Sequence, residues 1–356
     1  MPTLKEISLQ VLALRREAGT SDAAMARELV ATYLKGLGYD VETQAFTFAP
    51  SSLVAFPVFG AGLGGLALVM FPFLASEHLP QWAALAIWTT GVVSIAVLAT
   101  GIGLGWVPLG DGLREDANLI ATRGALPPRR WVVAHLDSKA QGHSMAGRLV
   151  AVWVVSVVVV ALSALAMARL MGPVSPVLAG MGVILALAAG ILAGQGRLRG
   201  RSHGARDNGT GVVAALAAAG AAETQIGILI TGAEEFGLVG ARVFVRSRKR
   251  GLDAEFVNVD TVDQEGPLYM VSHNAEGERL ADALQPALSR LELPIRRRRL
   301  PMGIFVDSAP LSRVAAAVTI GRLTWRTLRC IHTQADTSTG LSYRTAEQVG
   351  KAIVSN

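Results

Sequence analysis

The sequence predicts an α/β body interrupted by two apolar helical hairpins. Two observations carry this. Short apolar runs alternate with segments of helical period, the pattern of strands and helices packed into an α/β sheet. The charge is also unevenly spread. Of 356 residues only 17% are charged, and residues 44–76, 79–110, 149–168 and 170–196 contain no Asp, Glu, Lys or Arg. The rest of the chain is about one-quarter charged, as in an ordinary soluble domain. Disorder is excluded by the hydrophobic content of 51%, and a disulfide-stapled scaffold by the single cysteine, Cys330.

The elements follow in order. The opening segment MPTLKEISLQVLALRREAG lacks the apolar core of a signal peptide and reads as an amphipathic helix. A helix is expected at residues 25–37 and a strand at 41–46. Residues 53–75, 82–106, 149–168 and 176–194 are each long enough to cross a bilayer, which takes about 20 apolar residues in a helix. Core helices of soluble proteins seldom run so far without a charge. Short connectors pair these four spans into two hairpins. Gly60, Gly62, Gly64 and Gly65 in the first span allow close helix approach. Further strands are expected at 118–123, 131–135, 226–231, 256–260, 268–271 and 316–320. Further helices are expected at 211–222, 237–246, 278–291 and 346–354. The body is then residues 1–50, 108–148 and 197–356, and the hairpins are 51–107 and 149–196.

Lys and Arg near the spans orient the hairpins. Arg114, Arg123, Arg129, Arg130, Lys139, Arg148, Arg197, Arg199, Arg201 and Arg206 flank the body side, whereas Arg169 alone lies on the hairpin side. The body is therefore expected in the cytoplasm. The net charge of +6 does not imply nucleic acid, because no nucleic-acid module is recognisable. Arg246, Arg248, Lys249 and Arg250, and the run from Arg296 to Arg299, read as solvated faces or contacts to anionic headgroups.

Five polar stretches carry chemistry. AHLDS holds His135 and Asp137, which share one face of a strand, so the carboxylate can orient the imidazole. GARDNGTG holds Asp207, TGAEEFG holds Glu234 and Glu235, FVNVDTV holds Asp260, and IHTQADT holds His332. Each alone has a bland explanation as a cap, a turn or a solvated charge. Together they form a His/Asp/Glu set at strand ends, where open α/β sheets place their sites. Carboxylates gathered in one place repel unless a cation joins them. Oxygen and imidazole donors without thiolates suit Zn²⁺, Mn²⁺ or Co²⁺. Adjacent glutamates point in different directions. One can bind an ion while the other accepts a proton from the attacking water and returns it to the leaving amine.

The ordered series H-x-D, D-N-x-T-G, E-E-x-G-L-x-G, N-x-D and H-T-x-x-D-T resembles the di-zinc aminopeptidases, including bacterial leucyl aminopeptidase and aminopeptidase Y. The resemblance spans nearly all of the body. It implies a three-layer α/β/α fold with a mixed, largely parallel sheet between helices. It implies two divalent ions, zinc foremost, and a peptide substrate. His135 and Asp260 would bind one ion, Glu235 and His332 the other, and Asp207 both. Glu234 would be the general base, Asp137 would orient His135, and the Asp207–Asn208 link is a candidate cis peptide.

The sequence departs from the family at two places. Gln334 stands where the family commonly has Pro in H-T-P-x-D-T. Val306, Asp307 and Ser308 stand where it often has Ser-Asp-His, in a loop that shapes the substrate pocket. A glutaminyl cyclase relative with one zinc is an alternative, against which the full ligand set argues. A non-catalytic membrane protein that kept the fold is another. A transporter is disfavoured because the spans hold no ionisable residue. One metal centre further requires that His135 and Asp207 meet, which they do only if an even number of spans separates them.

Overall fold

The computed structural model describes residues 1–110, 112–222, 225–248 and 253–355. Lys249 and Arg250, read above as part of a basic run, lie outside them. The chain divides into two compact units, residues 1–48, 113–140 and 200–356, and residues 49–112 and 141–199.

The first unit is built on an eight-stranded mixed sheet. Its strands are β1 (Asp40–Phe48), β2 (Arg114–Thr122), β3 (Arg130–His135), β4 (Ile226–Thr231), β5 (Glu255–Val262), β6 (Leu268–Ser272), β7 (Ile295–Arg298) and β8 (Ala316–Arg322), in the spatial order β1-β2-β4-β3-β5-β8-β6-β7. The central strands β4, β3, β5 and β8 run parallel. β1 and β2 pair antiparallel, as do β2 with β4 and β6 with β8. The order reverses direction at β3, and open α/β sheets place their sites at the carboxyl ends of the strands beside such a reversal.

Alternating side chains of the central strands enter two separate hydrophobic clusters. Val132 and Ala134 of β3, Ile228 and Ile230 of β4, and Val257 and Val259 of β5 join one, and Trp131, Val133, Leu229 and Phe256 join the other. This is the period-2 pattern of strands buried on both faces. α1 (Leu4–Leu12) and α2 (Ser21–Gly36) precede β1. Thr3 and Glu6 form a reciprocal capping box on α1.

β7 was not expected from the sequence. It pairs with β6 alone, so it is an edge strand. Its Arg296, Arg297 and Arg298 are exposed, and charged side chains are what keep an edge strand from pairing with other chains.

The second unit contains α3 (Ala55–Ala75), α4 (Gln81–Gly103), α5 (Met145–Ala168) and α6 (Pro176–Gly194). With their flanking turns, all four are long and apolar enough to cross a membrane. Some apolar side chains, such as Leu63, Met70 and Leu162, pack inside the unit, and many others face outward. Trp153, Val157 and Val160 of α5 are 58%, 63% and 69% exposed, far more apolar surface than a soluble helix presents. Inside the unit, a side chain at Gly60 would overlap Ala193, and one at Gly190 would crowd the Gly60 carbonyl at 2.8 Å. Small residues thus let α3 and α6 touch backbone to backbone. Gly65 has open space instead.

Arg169, the lone basic residue between the two helices of the second pair, is buried. It donates to the carbonyls of Phe73 (2.9 Å), in the last turn of α3, and of Ser76 (2.7 Å) and Leu79 (2.8 Å), beyond it. Carbonyls at a helix end lack partners within the helix and attract cations. Arg169 is therefore a packing group rather than a solvated charge.

The remaining helices belong to the first unit. They are α7 (Thr210–Ala221), α8 (Val239–Arg246), α9 (Ala275–Ser289), α10 (Ser308–Leu311), α11 (Trp325–Cys330) and α12 (Arg344–Val354). The short α10 and α11 were not anticipated, being under two turns long.

Candidate metal centre

His135 ends β3, Glu234 and Glu235 follow β4, Asp260 lies near the end of β5, Asp207 immediately precedes α7, and His332 follows α11. The fold brings all six together. His135, Glu234 and Asp260 form one set of donors, and Asp207, Glu235 and His332 another, each with ligand atoms within 4.8 Å of one another. Asp207 joins the sets. Its Oδ1 is 3.2 Å from His135 Nε2 and its Oδ2 is 3.1 Å from His332 Nε2.

The seventh residue, Asp137, does more than orient His135. Its backbone carbonyl is 3.0 Å from His135 Nδ1, closer than its carboxylate at 3.6 Å. The carboxylate instead accepts the backbone N–H groups of Glu234 (3.0 Å) and Glu235 (3.1 Å). One buried residue thus meets the imidazole on β3 through its backbone carbonyl and the tandem glutamates after β4 through its side chain.

The backbone around the donors is unusual. Ala233, Thr261 and His332 have positive φ at 50°, 54° and 65°, and the Asp207–Asn208 peptide is cis. Left-handed backbone at non-glycine residues costs roughly 1–3 kcal/mol each and persists only where surroundings impose it. At Thr261 the surroundings are the hydrogen bonds of Asn208. Asn208 Oδ1 accepts the N–H groups of Gly211 (2.9 Å) and Thr261 (3.1 Å), and its Nδ2 donates to the Val259 carbonyl (2.8 Å). A side chain at Gly211 would collide with Asn208 and the Val259 carbonyl, so only glycine permits this approach.

Four further buried or part-buried residues surround the donors, three of them in direct contact with the donors or the segments that carry them. Asp336 accepts the backbone N–H groups of Arg206 (2.9 Å) and Asp207 (3.1 Å). Arg16, fully buried, donates to the carbonyls of Leu136 (2.8 Å), His203 (2.7 Å) and Gly204 (2.9 Å), tying the H-x-D segment to the segment that carries Asp207. Lys139 pairs through Nζ with Glu235 Oε2 at 2.5 Å. Asp307 is buried and accepts from Thr231 Oγ1 at 2.5 Å. Asp336 lay within the quoted H-T-x-x-D-T, and Asp307 within the stretch that departs from Ser-Asp-His. The others depend on contacts distant in sequence.

His273, which the sequence leaves without a role, holds Ser308 Oγ at 2.8 Å through Nε2. That serine also meets Thr319 Oγ1 at 2.6 Å. Cys330 Sγ donates to the Ala335 carbonyl at 3.5 Å.

Burial shapes the electrostatics. It lifts the Glu234 carboxyl well above the usual range, reinforced by Glu235, Asp307 and Asp260 and opposed by His135. It lifts Asp307 to about 7 and Asp336 to about 6, against the pull of the Arg206 and Asp207 N–H groups. Burial would lower His135, but Glu234, Asp137, Asp207 and Asp260 outweigh it and raise its affinity for a proton. His332 moves the other way, lowered by burial and then by Lys139.

The donor set fits a metal. Glu235 Oε1 is buried without a hydrogen-bond partner and lies 3.5 Å from His332 Nε2. The carboxylates around His135 draw positive charge to that ring, and a divalent ion supplies more of it than a proton does. Oxygen and imidazole donors without thiolate suit zinc or a similar ion.

Residues 180–356 match peptidase family M28. The matched residues include Asp207, Glu234, Glu235, Asp260 and His332 but not His135 or Asp137. No curated protein sequence matches the chain. Among solved structures, an aminopeptidase from Aneurinibacillus sp. strain AM-1 is 15% identical, with a TM-score of 0.57 covering 99% of this chain and 92% of that one. A zinc aminopeptidase from Bacillus subtilis is also 15% identical, with a TM-score of 0.57 covering 99% and 94%. A glutaminyl cyclase from Bacteroides thetaiotaomicron bound to N-acetylhistamine is 14% identical, with a TM-score of 0.56 covering 99% and 96%. At these identities the structures establish a shared fold.

Proposed function

We propose that this chain is a membrane-integral, two-metal exopeptidase of the M28 type that removes N-terminal residues from peptides. The observation that carries the reading is the Asp207 carboxylate, which gives one oxygen to each of two imidazoles belonging to two donor sets. The M28 match and the zinc aminopeptidase neighbours point to the same chemistry. The reading includes a three-layer α/β/α body made of residues 1–50, 108–148 and 197–356, with hairpins at 51–107 and 149–196.

His135 and Asp260 would hold one ion, Glu235 and His332 the other, and Asp207 both. Bound there, the ions would polarise the scissile carbonyl and make hydroxide available near neutral pH. Glu234 takes the proton from the attacking water and passes it to the departing amine. Its raised proton affinity, set by burial and then by the neighbouring carboxylates against His135, suits that return step. Asp137 holds the Glu234 and Glu235 backbone, so base and ligand keep their spacing. The four apolar helices cross the membrane in pairs, and the Lys and Arg distribution favours a cytoplasmic body.

The glutaminyl cyclase neighbours are a specific reason to keep a second reading, cyclisation of N-terminal glutamine. Both are tested together. Detergent-purified protein is incubated with a peptide library that includes N-terminal glutamine peptides, and products and bound metal are quantified. Stepwise loss of N-terminal residues with two ions per chain supports the peptidase. Ammonia release from glutamine peptides with intact chain length supports the cyclase. Neither product from a metal-loaded protein removes the catalytic reading.

A further inference from the structure

Lysine is almost never fully buried unless it is paired. Lys139 is 3% exposed, and its ammonium lies 2.5 Å from Glu235 Oε2. It reaches that position from the segment just after Asp137. Glu235 therefore uses its two oxygens differently. Oε2 is engaged by Lys139, whereas Oε1 has no hydrogen-bond partner and faces His332 Nε2.

We propose that Lys139 is a built-in counter-charge at the Glu235–His332 side of the centre, a positioning residue that limits Glu235 to one ligating oxygen and weakens the hold on the ion there. The inference rests on the two-metal reading above. The argument is electrostatic. Two donor sets carry four carboxylates, from Asp207, Glu234, Glu235 and Asp260. A fixed ammonium against one of them subtracts from the attraction that an incoming divalent ion feels, and buried charges are little screened by salt. Engaging Oε2 also removes the bidentate option for Glu235. No such cation appears in an ion pair with Asp260 among the described residues, so the two sides of the centre are held unequally.

The test separates charge from mere support. Full-length protein in detergent is stripped with a chelator and titrated with Zn²⁺ against a competing indicator. Lys139→Gln keeps an N–H donor for Oε2 but removes the charge. Lys139→Met removes both. Wild type should bind two ions, and Lys139→Gln should bind the weaker one about tenfold or more tightly. Lys139→Met should also tighten it, since Glu235 is then free to use both oxygens. A group that only props up its neighbour cannot tighten binding when removed.

Should Lys139→Met fail to fold, Lys139→Gln alone decides the question. Affinity in Lys139→Gln that stays within about threefold of wild type, or weakens as the loss of a supporting contact does, overturns the inference while the two-metal reading stands. Wild-type protein that binds no Zn²⁺ overturns both.

Discussion

Asp137 Oδ1 accepts the backbone N–H of Glu234 at 3.0 Å. Its other oxygen takes the N–H of Glu235, and its own carbonyl meets His135 Nδ1. This one residue therefore meets three donors, His135 through its backbone and the backbone of the two glutamates through its carboxylate. Asp137→Ala should cut kcat/KM on aminoacyl amides about 10²-fold and weaken zinc binding about 10–100-fold, the usual range for partners of metal ligands. Activity and metal content of the same preparation check this. Full metal occupancy with full activity would leave Asp137 a packing residue.

Removal of the ions should stop turnover. Dialysis against a strong chelator is expected to abolish hydrolysis, and stoichiometric Zn²⁺, Mn²⁺ or Co²⁺ should restore it. The recovered rate plotted against ions added per chain checks the account. Restoration complete at one ion would argue for a single working site.

Arg16 binds three carbonyls on two segments that are neighbours only in the fold. Arg16→Met leaves those buried acceptors unpaired, at about 1–3 kcal/mol each. A marked fall in thermal unfolding temperature is expected, larger than that for Arg16→Lys, which keeps one donor group. Equal unfolding temperatures for Arg16→Met and wild type would contradict the clamp.

Arg169 has the corresponding place in the helical unit. Arg169→Leu strips the partners from the Phe73, Ser76 and Leu79 carbonyls. Unfolding in detergent should shift to lower temperature by the equivalent of about 1–3 kcal/mol or more. A substitution at the outward-facing Val160, such as Val160→Leu, should leave it unchanged.

Much of this was legible in the sequence because short-range patterns carried it. The strand expected at residues 226–231 coincides with β4 since IGILIT is a continuous apolar run that stops at Gly232. The helix expected at 176–194 coincides with α6, whose apolar run is bounded by Pro176 and Gly194. The six donors stood out because each sits in a polar motif against an apolar background, and the fold does bring them together.

What stayed hidden depends on tertiary contact. β7 reads as a solvated arginine run because edge strands carry charge, and its pairing with β6 leaves no apolar alternation. Arg169 looked like a topological marker, and only the fold shows its guanidinium capping carbonyls some 90 residues earlier. Lys139 counted as one of several basic residues beside a span. Nothing in DSKAQ announces that its ammonium is buried against Glu235.

The most direct test of the central claim is the activity and metal content of Glu234→Gln. Glutamine is isosteric with glutamate and keeps the Asp137-anchored backbone, but it cannot accept the proton. Hydrolysis of N-terminal residues should fall at least about 10²-fold while both ions remain bound. A variant that binds metal normally and cleaves at the wild-type rate would contradict the assignment of Glu234 as the base, and with it the proposed mechanism.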